Sequence, residues 1–153
     1  MKLIEADQGL REEHLTENEL LEYSLSTLAW VGDAVFELYV RTRLSRLHQT
    51  ASGPLHRIAT RFVSARGQAA FTDRLLKGDE AFPLEENETV ILRRARNYHP
   101  QSMAKHADQA DYRKATAFEA LIGWLWLQGK NSRVTALIDC ALDQWNPTEE
   151  NHG

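Results

Sequence analysis

A chain of 153 residues suits one domain and is long enough to bury a real core. Its 42% hydrophobic and 26% charged residues are those of an ordinary globular protein, and no apolar run is long enough to span a membrane. A net charge of −4 gives no sign of the uniformly basic surface usual in nucleic-acid binders, and the single cysteine, Cys140, excludes an internal disulfide. The N-terminus has no basic start followed by an apolar run, so no secretory signal is expected, and the location expected is cytoplasmic or that of the mature form of an organelle protein.

The charge is unevenly spread. Glu5, Asp7, Glu12, Glu13, Glu17, Glu19 and Glu22 crowd the N-terminal stretch, and residues 1–14 read as an acidic, flexible arm. A first long helix is predicted from Ser24 or Ser26 to about His48, with Leu25, Leu28, Gly32, Val35, Leu38 and Tyr39 recurring at spacings of three and four. Ser52-Gly53-Pro54 opens a second, since proline at an early helical position loses no hydrogen bond. Its apolar positions Leu55, Ile58, Phe62, Ala65, Ala69 and Leu75/Leu76 predict one long helix ending near Gly78. Glu85, Glu86 and Glu88 favour the start of a third helix through its dipole, ending around Arg96-Asn97. Residues 98–110 read as a loop. A fourth helix is predicted over about 112–127 and a fifth over about 132–145, closed by Asn146-Pro147, with a short tail at 148–153. Alternating strand patterns are absent, and the domain of residues 15–147 reads as all-α.

Two segments carry the candidate chemistry. Residues 28–38 read Leu-Ala-Trp-Val-Gly-Asp-Ala-Val-Phe-Glu-Leu, and residues 116–123 read Thr-Ala-Phe-Glu-Ala-Leu-Ile-Gly. Each sets a carboxylate, Asp33 or Glu119, near a glycine in an otherwise apolar helical stretch. Burying a carboxylate is costly unless a cation or donors compensate, so two such stretches brought together would suit a hard divalent metal such as Mg²⁺. The plainer reading of Asp33 alone is a carboxylate paired with an arginine or capping a helix. Glu37 lies one turn beyond Asp33 and could share a metal or be a solvated partner of a cation. Gly32 and Gly123 cost roughly 1 kcal/mol each in helix propensity, which implies close backbone approach in helix packing or at a dimer interface. Thr116 could act near a metal or bond back to its own helix. Arg93, Arg94, Arg96, Lys105, Arg113 and Lys114 form a basic group suited to phosphate backbones, or a merely solvated face. Trp30, Trp124, Trp126 and Trp145 fall at core spacing and read as packing. No zinc spacing, phosphate-binding glycine loop or serine elbow is present.

The first segment resembles the signature helix of ribonuclease III catalytic domains, and the second resembles that family's second metal-binding helix. Residues 55–65, Leu-His-Arg-Ile-Ala-Thr-Arg-Phe-Val-Ser-Ala, and residues 93–97, Arg-Arg-Ala-Arg-Asn, are similar to the Mini-ribonuclease III branch, which lacks the C-terminal double-stranded-RNA-binding domain and for which this chain leaves no room. The resemblance spans about residues 25–127. It implies the ribonuclease III helical fold and a Mg²⁺-dependent homodimer that hydrolyses double-stranded RNA through a metal-activated water, leaving 5′-phosphate and 3′-hydroxyl ends. It implies Asp33 and Glu119 as catalytic, metal-binding residues, and a ribosomal-RNA precursor of the large subunit as substrate, with a ribosomal protein as a conceivable partner. The chain departs from ribonuclease III proper at Ala29, Ser26 and Thr116, where the larger enzyme has acidic residues, so only Asp33 and Glu119 remain of its acidic cluster. A catalytically silent dimer that binds RNA or a ribosome-assembly intermediate is the competing reading, and a plain all-α interaction domain is a third.

Overall fold

The computed structural model describes residues 14–47, 51–62, 64–98 and 109–144, and among them every regular element is helical. In chain order these are α1 (Glu17–Leu20), α2 (Leu25–Leu47), α3 (Ser52–Phe62), α4 (Ala65–Lys77), α5 (Glu86–Arg96), α6 (Gln109–Leu127) and α7 (Asn131–Gln144). None of them is long and apolar enough to cross a membrane. The expected acidic arm and the C-terminal tail fall outside the described residues, apart from His14.

Helix α6 is the axis of the fold. Ala115, Ala117, Phe118, Ala120, Leu121, Ile122, Gly123, Trp124 and Leu125 are all buried, a run that is apolar on every side. A helix with no polar face must be enclosed, and α2, α4, α5 and α7 enclose it. Phe118 meets Phe36 of α2 edge-to-face at 5.3 Å and Phe71 of α4 at 5.5 Å, so one ring joins three helices. The partner stripe on α2 is Leu28, Ala29, Gly32, Val35, Phe36, Val40 and Leu44.

Where α2 crosses α6 the two backbones touch. A Cβ built on Gly32 would lie 1.7 Å from the Glu119 carbonyl oxygen, and one on Gly123 would lie 1.9 Å from that of Leu28. These are backbone atoms, which cannot swing aside. Both glycines are therefore demanded by the crossing, and the predicted close approach is the packing of one helix on another within the chain.

The structure corrects several expectations. The predicted single helix from Pro54 to Gly78 is two, because Ser64 is extended (φ −64°, ψ 142°) and its hydroxyl accepts from Gly67 N–H at 3.2 Å, an N-cap that restarts the chain as α4. Helix α6 begins at Gln109, earlier than predicted, while the rest of the expected loop at 99–108 lies outside the described residues. The short α1 is additional, closed by a reciprocal Thr16–Glu19 capping box. Trp30 is 77% exposed, not core, because it sits about 200° around α2 from the buried Leu28. Leu38, placed on the buried face by its spacing, is exposed as well. Trp124 is buried and Trp126 partly so, as packing requires, whereas Trp145 is outside the described residues.

Helix α5 is tied to α7 through a buried ion pair. Glu88 is 1% exposed and receives Arg133 Nε at 2.8 Å and Nη2 at 2.6 Å. Arg133 also donates to the Pro83 carbonyl at 2.7 Å and lies over the Phe82 ring, while Glu88 accepts the Glu85 N–H at 2.8 Å. The pair is saturated with partners, the condition under which a buried charge is tolerated.

Two stability predictions follow from these contacts. Gly32→Ala should cost about 3 kcal/mol or more in urea unfolding, at or beyond the top of the usual overpacking range, although alanine is the better helix former. A variant as stable as the wild type would mean that the helices can separate. Arg133→Met strands the buried Glu88 and should cost about 3–5 kcal/mol. Glu88→Gln should cost less, because Arg133 is 28% exposed and can turn to water; equal losses would show that the carboxylate is not the stranded partner.

Candidate active site

The glycine crossing carries the two candidate carboxylates. Asp33 directly follows Gly32 on α2, and Glu119 is the residue of α6 whose carbonyl lies against Gly32. Both side chains are half-buried, so Asp33 is less enclosed than the sequence predicted. Glu37, one turn beyond Asp33, is near enough to act electrostatically on both.

The arrangement is electrostatically unsatisfied. Burial pushes the Asp33 carboxyl above its usual range, and the Glu37 charge pushes it further. Glu119 is pushed up to about 8, first by burial and then by the Asp33 charge; the Gln68 amide opposes this, and Glu37 adds a smaller push. Like charges held together in a partly dry site disfavour one another's ionised form. Among the described residues the charge acting on Asp33 is that of another acid, Glu37, and no arginine is paired with it. Glu37 itself reaches the Arg41 guanidinium only at 3.9 Å on the exposed side of α2, a contact of little energetic weight.

Gln68, on α4, is the residue that the sequence reading passed over. It is 3% exposed, and its side chain lies beside Glu119. The signal was present: Gln68, Ala69 and Thr72 fall at helical spacing on the buried side of α4, with a long polar residue among small ones. Thr72 spends its hydroxyl on the Lys114 carbonyl at 2.7 Å. Thr116 bonds back to its own helix, donating to the Tyr112 carbonyl at 2.8 Å, which is the second of the two roles considered for it.

Among the described residues no group of three or more His, Cys, Asp or Glu side chains is assembled to hold a metal. A Mg²⁺ ion does not require one, since it keeps several waters and is commonly held by one or two carboxylates together with substrate phosphates. Asp33 and Glu119, two hard oxygen donors lacking a counter-charge at a solvent-reachable crossing, fit that mode of binding.

The basic residues divide. Arg93 and Arg94 project from the last turn of α5 into solvent, opposite the buried Ile91, Leu92 and Ala95. Arg94 borders a groove with Glu17, Leu21, Asn87, Val90 and Trp124. Arg96 is half-buried with its Nε donating to Asn97 Oδ1 at 3.3 Å. Lys114 is engaged with Asp73 at 2.9 Å, and Arg113 is half-buried and not free. Lys105 lies outside the described residues. Among the described residues, neither Asp33 nor Glu119 is stabilised by contact with Arg93, Arg94, Arg96, Arg113 or Lys114.

A family model described as the ribonuclease III domain matches residues 26–130. A Mini-ribonuclease 3 of Enterococcus faecalis is 42% identical over 123 residues, 80% of this chain and 91% of that protein. A Mini-ribonuclease 3 of Clostridium tetani is 32% identical over 92% of this chain and 91% of its own length. A crystal structure of a Fusobacterium nucleatum protein superposes with a TM-score of 0.68 at 26% identity, covering 80% of this chain and 93% of that one. The matched span contains both motif helices and the crossing between them, and ribonuclease III membership in general implies a divalent metal. The chain belongs to the ribonuclease III family, in its Mini-ribonuclease 3 branch, and is an endoribonuclease of that type.

Proposed function

We propose that this endoribonuclease cleaves double-stranded RNA with Mg²⁺ held by Asp33 and Glu119, and that its cellular substrate is a precursor of large-subunit ribosomal RNA in the cytoplasm. The observation that supports the metal assignment is the pair of motif carboxylates brought together at the Gly32–Gly123 crossing, with Glu119 pushed up to about 8 by burial and by the Asp33 charge. The cation, when bound, supplies that charge, lowers the pKa of an attacking water and offsets charge developing on the scissile phosphate. The protein's own part is to hold the two acids at a spacing set by backbone contact, on rigid helices, with part of their hydration removed. The exposed Arg93 and Arg94 serve to anchor phosphates beside the site, joined by Arg96, Lys105, Arg113 and Lys114 where their existing partners release them. A-form RNA is read by shape and backbone, which accords with the exposed arginines at the end of α5. A homodimer would place two such sites on one duplex, and the 77% exposed Trp30 is the kind of large aromatic residue that interfaces cover.

Two experiments test this reading. Purified protein is incubated with double-stranded RNA and with ribosomal-RNA precursor, in Mg²⁺ or in EDTA, with end-group analysis of the products. Cleavage should need the metal, leave 5′-phosphates, and fall by at least a hundredfold in Asp33→Asn and Glu119→Gln while RNA binding persists. Arg94→Glu should weaken binding and flatten its salt dependence. Binding without cleavage by the wild type would favour the silent RNA-binding dimer, and full-rate cleavage by either acid variant would displace the site.

The second concerns pH. In the metal-free protein Glu119 keeps its proton to about 8, against 4.5 ordinarily. Below 4.5 the folded and unfolded chains are both protonated there, and the stability is fully present. As pH rises towards 8 the unfolded chain sheds a proton that the folded one retains, so stability is lost, levelling off above 8. The melting temperature in EDTA, taken as wild type minus Glu119→Gln, should fall across that window, and Mg²⁺ should flatten the fall. A difference independent of pH would remove the electrostatic argument.

A further inference from the structure

Gln68 is buried to 3% exposure, and its Nε2 has no hydrogen-bond partner. A buried amide donor left without a partner costs about 1–3 kcal/mol, and such groups are rare enough to require a reason. Its neighbours show that the position could have been satisfied or made apolar: one turn on, Thr72 is fully buried and bonded to the Lys114 carbonyl, and Ala69 is simply small. Gln68 lies beside Glu119, yet its Nε2 does not meet the carboxylate at hydrogen-bond geometry. The donor is placed next to a carboxylate that it does not bond in the metal-free protein.

We propose that Gln68 is a positioning residue that holds the Glu119 carboxylate in the orientation in which it receives a divalent cation. The inference rests on the reading that Asp33 and Glu119 bind the metal. A carboxylate has two oxygens and turns freely about its last bond. A charge-assisted hydrogen bond from the Gln68 amide to one oxygen directs the other to the cation. Turning the carboxylate to the cation would give Nε2 its partner in the same event, so the penalty carried by the metal-free protein is relieved on loading. Gln68 also stands on α4, the third helix around Phe118, so the carboxylate is braced from a helix other than the two that cross. Groups in this relation to a metal ligand typically contribute ten- to a hundredfold to affinity.

The test is binding of Mn²⁺ alone, followed by its electron paramagnetic resonance signal, to the full chain of wild type, Glu119→Gln, Gln68→Met and Gln68→Asn. Methionine matches the glutamine in length without a donor, and asparagine keeps the amide but withdraws it by one methylene. We expect both Gln68 variants to bind Mn²⁺ at least about tenfold more weakly than wild type, and their cleavage to need correspondingly more Mg²⁺ for half-saturation. Gln68→Met should melt in EDTA no lower than wild type, because it removes an unsatisfied buried group. A purely structural glutamine would do the reverse, lowering the melting temperature and leaving Mn²⁺ affinity unchanged. Unaltered affinity in the Gln68 variants, with Glu119→Gln impaired, overturns the role of Gln68 and leaves the metal site standing. No Mn²⁺ binding by the wild type, or undiminished binding by Glu119→Gln, overturns both. Should Gln68→Met fail to fold, Gln68→Asn carries the affinity comparison.

Discussion

The structure depends on the direct contact of two helix backbones. At Gly32 and Gly123 the absence of side chains lets α2 and α6 approach until carbonyl oxygens fill the space where a Cβ would stand. The approach costs helix propensity at two positions and is repaid by the packing it permits on either side, where Leu28, Val35 and Phe36 meet Phe118 and Leu121 in the buried core. It also decides what happens to the charged residues nearby. Asp33 and Glu119 flank the contact, so the separation of the two backbone positions that carry the acids follows from main-chain contact rather than from loops.

Two buried acids in this fold show what a protein does with a carboxylate when it is structural and when it is not. Glu88 is almost wholly enclosed and is met by a guanidinium and a backbone N–H, and burial costs it little because its lone pairs are filled. Glu119 is less enclosed, yet its surroundings are two further acids and an amide held off hydrogen-bond geometry. Stability alone would have placed an arginine there. Among the described residues this site is short of positive charge, which is what the proposed cation would supply.

Much of this was legible in the sequence because helical periodicity and local motifs survive without tertiary context. The burial of the α2 stripe, the enclosed α6 and the demand for glycine at positions 32 and 123 all follow from residue type and spacing. Other features turned on information that spacing does not hold. The break at Ser64 depends on one hydroxyl capping the next helix, and an unbroken apolar period on both sides concealed it. Trp30 reads as core by composition and lies outside it by angle. Lys114 counts as a free cation in a charge tally, whereas Asp73, forty-one residues earlier in the chain, already engages it. Gln68 escaped notice because a single buried amide has no motif, and only its position against Glu119 gives it meaning.

The end of α5 and the α2–α6 crossing divide labour between them. Arg93 and Arg94 stand on an exposed final turn where backbone and side chains can vary without disturbing the core, whereas the acids are locked to it. On the proposed function, phosphate anchoring and chemistry would therefore be separately adjustable in this molecule. Grafting base-reading contacts onto residues 93–98 would then be a route to altered RNA preference in an engineered nuclease that leaves the α2–α6 crossing untouched.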